Sequence, residues 1–395
     1  MSDTARSFSP MPEKLEKFLD GYQESKVLFA ACDFGIFDIL RNSSVPQSAA
    51  DITKMLSSNL DATTRLLDTL VALELLEKTK QEDEWLYNNT EEASKFLTTS
   101  SPDSQLAIVS LHNKVGYPQQ GNLESAVIEG RVQWMRTFGK SSEDVFRDAL
   151  YSNEESVLRF TRTMHNMVFS ASYALAKVIN LTSFRNCCDL GGKFCAFVHS
   201  RPCILLRRSE GLFSEKVSIR RILEMCVKLR GVGTLAYALC QYNPQMKITV
   251  GDLQPVVSLA HHFRPSVEDC PNQVNVSFTI ADFFKPETLP KADLYVLSRI
   301  LHDWSEEKID LILSNVFHCL PSGGGLLICE KFLDEDKKGP KRILLQSLIM
   351  LLSTGGKERT ASEYKQILYK HGFIDIQVTL VEDSPLIDAI LCRKK

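Results

Sequence analysis

The chain has 395 residues, 44% hydrophobic and 24% charged, with a formal net charge of −3. That length suits two or three domains of an ordinary globular protein, and the balance of charge gives no electrostatic case for nucleic acid or an anionic membrane. No apolar run reaches the roughly 18 residues of a membrane span, and the N-terminus shows no apolar signal core.

Residues 1–11 read as a disordered terminus. From 12 to about 180 the pattern is helix after helix. Leu15, Phe18, Leu19, Tyr22, Val27 and Leu28 recur at helical spacing. A short helix is expected over 48–55 and a longer one over 61–78. Trp85-Leu86-Tyr87, followed by Asn88-Asn89-Thr90, suggests a small β wing. Helix, helix and wing form a winged-helix-like pattern, but 61–78 carries both signs of charge and no basic stripe, which argues against DNA. The apolar excess of Val27-Leu28-Phe29-Ala30-Ala31-Cys32 points instead to protein contact.

From 181 the chain reads as α/β. Strands are expected at 187–190, 247–250, 274–280, 294–298, 326–329, 374–380 and 386–392. Helices are expected at 233–241, 255–263, 306–320, 341–353 and 362–371. Alternating apolar strands and helices mean a doubly wound, Rossmann-like, mostly parallel sheet. Only Glu382-Asp383-Ser384-Pro385 separates the last two strands, so they should form an antiparallel hairpin at one side. The eleven cysteines are scattered without a Cys-x-x-Cys, so free thiols in a reducing cytosol are expected and a metal site is not.

The chemistry clusters at strand ends. Asp189, Gly191 and Gly192 close the first strand of the sheet, and Gly231 and Gly233 open the next helix. Glycines there let backbone N–H groups approach a ligand at a helix N-terminus. Asp252 ends the second strand and suits a ribose diol. Asp282 and Phe283 follow the third and could set a carboxylate and a ring beside a base. The fourth strand leads into Arg299-Ile300-Leu301-His302-Asp303-Trp304, where an imidazole at a loop suits a general base. Glu330 ends the next strand, and Glu358 lies in Gly355-Gly356-Lys357-Glu358-Arg359-Thr360. Either carboxylate can orient such a ring.

Together these motifs resemble the small-molecule O-methyltransferases that use S-adenosylmethionine, in particular the N-acetylserotonin O-methyltransferase group and its methyltransferase-like relative. Arg-x-x-His-Asp-Trp paired with Lys-Glu-Arg-Thr, and Pro321-Ser322-Gly323-Gly324-Gly325, are its specific marks. The resemblance implies a hydroxyindole acceptor, His302 as base, and Glu330 and Glu358 as its braces. It implies a cofactor held by Tyr151, Asp189, Gly191, Gly192, Gly231, Gly233, Asp252, Asp282, Phe283 and Arg299. Asp303 and Ile349 would meet the substrate, no metal would be needed, and the N-terminal helical domain would make a homodimer. Val168, Ala281 and Ile349 depart from the family's usual aromatic, glycine and asparagine.

The largest departure is residues 193–230, which split the glycine motif. The segment holds nine Lys or Arg against three Glu, with Cys195, Cys203 and Cys226. Gly192-Lys193-Phe194 can be encoded with a splice-donor-like GGTAAGT, so we read it as a retained intron or alternative exon. Three functions follow: an active O-methyltransferase, a weakened or inactive splice form that pairs with an active one, or a methyltransferase-like protein of different substrate.

Overall fold

The structure, a computed structural model, describes residues 10–142, 144–145, 154–191, 233–382 and 384–395. The expectations for Tyr151, Gly192, Gly231, the segment 193–230 and residues 1–9 lie outside the described residues. Contacts divide the chain into two compact units, 1–114 and 115–395.

The first unit opens with the helix Glu13–Asp33, whose first turn carries Glu13 and Glu16 toward the positive end of its dipole. Ser48 caps Ala49–Leu56 in a reciprocal capping box with Asp51, and Asn59 caps Leu60–Ala72. The expected helix 61–78 ends six residues early. Glu74 adopts a left-handed φ of 58°, and Leu75 N–H turns back to Leu70 O at 2.9 Å. The chain then enters strand β2, Leu76–Gln81, which pairs with β3, Glu84–Asn89; β3 also pairs with the short β1, Gln47–Ser48. The expected wing is therefore present, and the strand pairing decided Leu76–Lys78 against helix. Asp68 ties helix to wing, accepting from Lys78 Nζ at 2.6 Å and Tyr87 OH at 2.7 Å. Ile36, Phe37, Ile52, Leu67, Leu70 and Tyr87 fill the core.

In the second unit seven strands form one sheet in the order β6-β5-β4-β7-β8-β10-β9. These are β4 Asn186–Leu190, β5 Lys247–Asp252, β6 Val276–Ile280, β7 Leu294–Ser298, β8 Gly325–Glu330, β9 Phe373–Thr379 and β10 Asp388–Lys394. All neighbouring pairs from β6 to β8 are parallel, and β10 runs against both β8 and β9. The expected hairpin thus stands at one edge. Apolar side chains alternate between two cores because successive strand residues face opposite sides. Cys187, Val250, Val296 and Leu327 pack under Thr234–Tyr242. Leu190, Leu297, Leu326 and Ile328 pack under Glu306–Cys319 and Ala361–Lys370.

The sequence changes from helices to strands near 180, yet the helices from 115 onward belong with the sheet. Glu154–Val178 buries Ala171 and Leu175 in the sheet's core. Trp134 Nε1 donates to Ser353 O at 2.7 Å and so anchors Trp134–Phe138 to the helix Lys341–Ser353.

One close approach tests the packing. A Cβ on Gly325 would lie 2.5 Å from Phe184 Cζ, and Phe184 is itself buried. Overpacking of this kind costs about 1–3 kcal/mol. Gly325→Ala should lower the urea midpoint accordingly, and Phe184→Leu in the same chain should recover part of the loss.

Candidate active site

After β4 the chain continues outward through β5 and β6, then crosses back to place β7 on β4's other side. Ligands in such sheets bind at that reversal, outside the carboxyl ends of the strands. Gly191, Asp252, Arg299 and Glu330 all stand at these ends.

The glycine side is tightly built. A Cβ on Gly191 would fall 1.9 Å from Asp252 Oδ2, so a larger residue there would displace the carboxylate that folds over the turn. Asp252 is 1% exposed, and its Oδ1 accepts the Leu253 N–H at 2.7 Å. Gly233 caps Thr234–Tyr242 at φ 84°, and a Cβ there would meet Phe278 Cζ at 2.9 Å. Gly233 is required by its backbone as well as by space, and Gly191 keeps room for the Asp252 carboxylate. Asp189 lies within β4, and burial pushes its carboxyl up to about 7.

The third strand end differs in detail from its expectation. Asp282 is half-buried, and its Oδ1 accepts the Phe284 N–H at 3.0 Å. Phe283 turns into the core and meets Trp304 edge-on at 6.1 Å. The neighbouring ring, Phe284, is the more open of the two, with Lys308 Nζ 4.9 Å from its centre.

Arg299 has a left-handed φ of 53°, an uncommon state for a non-glycine residue and a frequent mark of functional loops. Its Nη1 donates to Leu386 O at 3.3 Å. The turn that follows buries His302 completely. Nδ1 of His302 lies 2.7 Å from Glu358 Oε1, and Nε2 lies 3.6 Å from Asp303 Oδ1. With Glu358 ionised, the Nδ1 position carries the proton and Nε2 presents its lone pair. Glu330, expected as a ring brace, lies near the ring and also meets the loop backbone. Its Oε2 is 4.0 Å from Nδ1, while its Oε1 accepts the Leu301 N–H at 3.0 Å and the His302 N–H at 3.4 Å. Glu330 thus takes the loop's backbone N–H groups beside the ring, and Glu358 makes the direct hydrogen bond to the ring.

Burial pulls the His302 pKa down, but Glu330, Asp303 and Glu358 outweigh it and leave it raised, with Arg299 opposing them. Burial is also the main reason the Glu330 carboxyl is raised. His302, Glu330 and Glu358 offer one nitrogen and two carboxylate oxygens within 4.8 Å of one another. Two ligands about 2.1 Å from a tetrahedral ion would stand about 3.4 Å apart. The 2.7 Å Nδ1–Oε1 contact is shorter and is a hydrogen bond.

Ile349 is half-buried on Lys341–Ser353, two residues from Ser347, whose Oγ accepts the Glu358 N–H at 3.3 Å. Three contributors escaped the sequence reading: Ser347, Gly356 and Arg359. A Cβ on Gly356 would fall 2.0 Å from the His302 carbonyl oxygen. The Lys-Glu-Arg run gave no sign that its arginine is internal.

A mostly parallel sheet of this order, with glycines and acids at its strand ends and a buried His–Glu pair, defines the class: a Rossmann-like α/β protein with its candidate site at the strand ends. Family models match at two places, an O-methyltransferase dimerisation domain at residues 16–99 and an O-methyltransferase domain at 214–374. Human acetylserotonin O-methyltransferase is 34% identical over 381 residues, 96% of this chain and 97% of that protein. A human protein described as a probable bifunctional dTTP/UTP pyrophosphatase/methyltransferase is 37% identical over 391 residues, 99% of this chain. The match spans only 55% of that relative's length. The crystal structure of human N-acetylserotonin methyltransferase in complex with SAM superposes with a TM-score of 0.74 at 33% identity, covering 98% of this chain and 99% of that one. The chain belongs to the O-methyltransferase family.

Proposed function

We propose that this chain transfers a methyl group from S-adenosylmethionine to the hydroxyl of N-acetylserotonin or a similar hydroxyindole, with His302 as general base. The observation that carries this reading is the hydrogen bond between His302 Nδ1 and Glu358, which leaves Nε2 on the ring's other side, at the end of a parallel sheet.

The donor set fits the cofactor. The buried Asp252 carboxylate over Gly191 suits a ribose diol, and the half-buried Asp282 carboxylate after β6 suits a base amino group. The N-terminus of Thr234–Tyr242 suits a carboxylate. When bound, S-adenosylmethionine supplies an electrophilic methyl on a sulfonium. The protein's remaining tasks are alignment and removal of one proton. A hydroxyindole resembles a phenol, with a pKa of about 10, so its proton must be taken up as the oxygen attacks. His302 Nε2 would accept it. The imidazolium so formed would be stabilised by Glu358 at Nδ1, with Glu330 and Asp303 close by. Arg299, whose charge reaches both His302 and Glu330, limits the excess of negative charge. Ile349 in place of a polar contact leaves acceptor selection to shape rather than to an amide.

The test is transfer from methyl-labelled S-adenosylmethionine to N-acetylserotonin and a panel of hydroxyindoles and phenols. Labelled methyl ethers should form. Labelling only of amines or thiols would overturn the reading.

We place the chain in a homodimer and in the cytosol. The described thiols are all free, and no described helix is long and apolar enough to cross a membrane. On Glu13–Asp33 a stripe of Leu15, Phe18, Leu19 and Tyr22 is exposed, with Phe18 at 59%. Such a stripe suits a second copy of the same helix domain. Phe18→Asp with Tyr22→Asp should convert a dimer to a monomer in sedimentation velocity, and an unchanged dimer would rule this face out.

A second reading is favoured by the segment 193–230 alone. It separates Gly192 from Gly231 in sequence, which suits a weakened form that pairs with an active one. Titrating this chain into an active homologue should then lower total activity.

A further inference from the structure

The backbone around Glu358 is pinned on both sides. Gly356 packs directly onto the His302–Asp303 backbone, where a Cβ would lie 2.0 Å from His302 O and 2.7 Å from Asp303 C. On the other side Arg359 is internal, 1% exposed, although arginine is almost never fully buried without partners. Its Nη2 donates to Glu306 Oε1 at 2.9 Å and its Nη1 to Lys357 O at 3.0 Å. Its Cζ stands 5.8 Å from the centre of the buried Tyr364 ring. Lys357 Nζ reaches the same Glu306 oxygen at 2.9 Å. Both neighbours of Glu358 therefore converge on one carboxylate. Glu306 begins the helix that directly follows the His302 loop. The clamp thus closes a ring from loop to helix to Glu306 to Arg359 to Glu358 and back to His302.

We propose that Arg359, clamped to Glu306, is a positioning residue that fixes the Glu358 carboxylate on His302. The inference rests on the reading of His302 as base for its catalytic meaning, but its geometry stands apart from that reading. The largest charge effects on His302 come from Glu330 at the end of β8, its neighbour Asp303, Glu358 and Arg299. Arg359 and Glu306 meet the imidazole's surroundings through the backbone that carries Glu358. Loosening Glu358 removes one of the carboxylates that hold the imidazole's pKa up. The ring should then titrate at lower pH.

The experiment is an NMR titration of the His302 ring in the full chain, assigned with His302→Gln, beside kcat and KM over the same pH range. Arg359→Gln should shift the His302 titration to lower pH and cut kcat about 10²-fold, the scale of a misplaced catalytic group. KM for the methyl donor should hold. Arg359→Lys, which keeps the charge but not the fork, should recover part of both losses. Glu306→Gln covers the case in which the arginine variant fails to fold, because the Glu306 side chain is 56% exposed. It should move the titration in the same direction by less. A His302 titration unchanged in Arg359→Gln and in Glu306→Gln would overturn the clamp. The titration needs no turnover. If His302→Ala retained full activity, the base reading would fail while the titration still decided the clamp.

Discussion

Replacing His302 with alanine is expected to lower kcat for methyl transfer by about 10²–10⁴-fold, the usual contribution of a positioned general base. Affinity for S-adenosylmethionine should be nearly unchanged, because Asp252 and the glycine turn belong to other strand ends. Single-turnover kinetics beside calorimetry separates the two. The pH profile carries the sign. His302 acts unprotonated, and its carboxylate neighbours raise its pKa above that of an ordinary imidazole. Activity should therefore rise with pH through a limb lying above about 6.5. Glu358→Gln should bring that limb to lower pH and lower the plateau, because it removes a carboxylate that favours the imidazolium. A limb that stayed in place in Glu358→Gln would separate the measured titration from His302.

Deleting residues 193–230 is expected to tighten S-adenosylmethionine binding about 10²-fold. The deletion rejoins Gly191-Gly192 directly to Gly231-Val232-Gly233. A continuous turn can aim backbone N–H groups at a carboxylate together with the N-terminus of Thr234–Tyr242. Two charge-assisted hydrogen bonds of about 1.5 kcal/mol each correspond to about 10²-fold in affinity. Calorimetry on the two chains measures this directly, and equal affinities would refute it. Transcript reads across the Gly192–Gly231 junction give a second check. A shorter message joining the two glycines is the expected finding.

The sheet was legible because its central strands are apolar on both faces. Leu294–Ser298 and the helix Lys341–Ser353 fall where the apolar runs put them. The helix expected over 61–78 failed for a related reason. Leu73, Leu75 and Leu76 continue a helical apolar period, and only pairing with β3 and the left-handed Glu74 turn Leu76–Gln81 into a strand. Division of the chain by contacts was equally out of reach, since the helices from 115 onward carry no sequence mark of belonging to the sheet.

The sequence by itself determined the family signature: the glycines, Asp252, and His302 between Arg299 and Trp304. These are local runs, and their residue types restrict the chemistry before any fold is known. Tertiary structure alone decided the division of labour among the carboxylates. Glu330 and Glu358 looked interchangeable as braces, yet one takes backbone N–H groups and the other the imidazole. Phe283 read as a face for a base and proved to be core, because the chain turns its ring toward Trp304. Arg359, named in the sequence only as part of the Lys-Glu-Arg-Thr motif, is internal. Which partner a buried charge finds depends on residues dozens of positions away, as Glu306 is from Arg359. The physical reason is that desolvation makes such pairings strongly specified in space while leaving no periodicity in the chain.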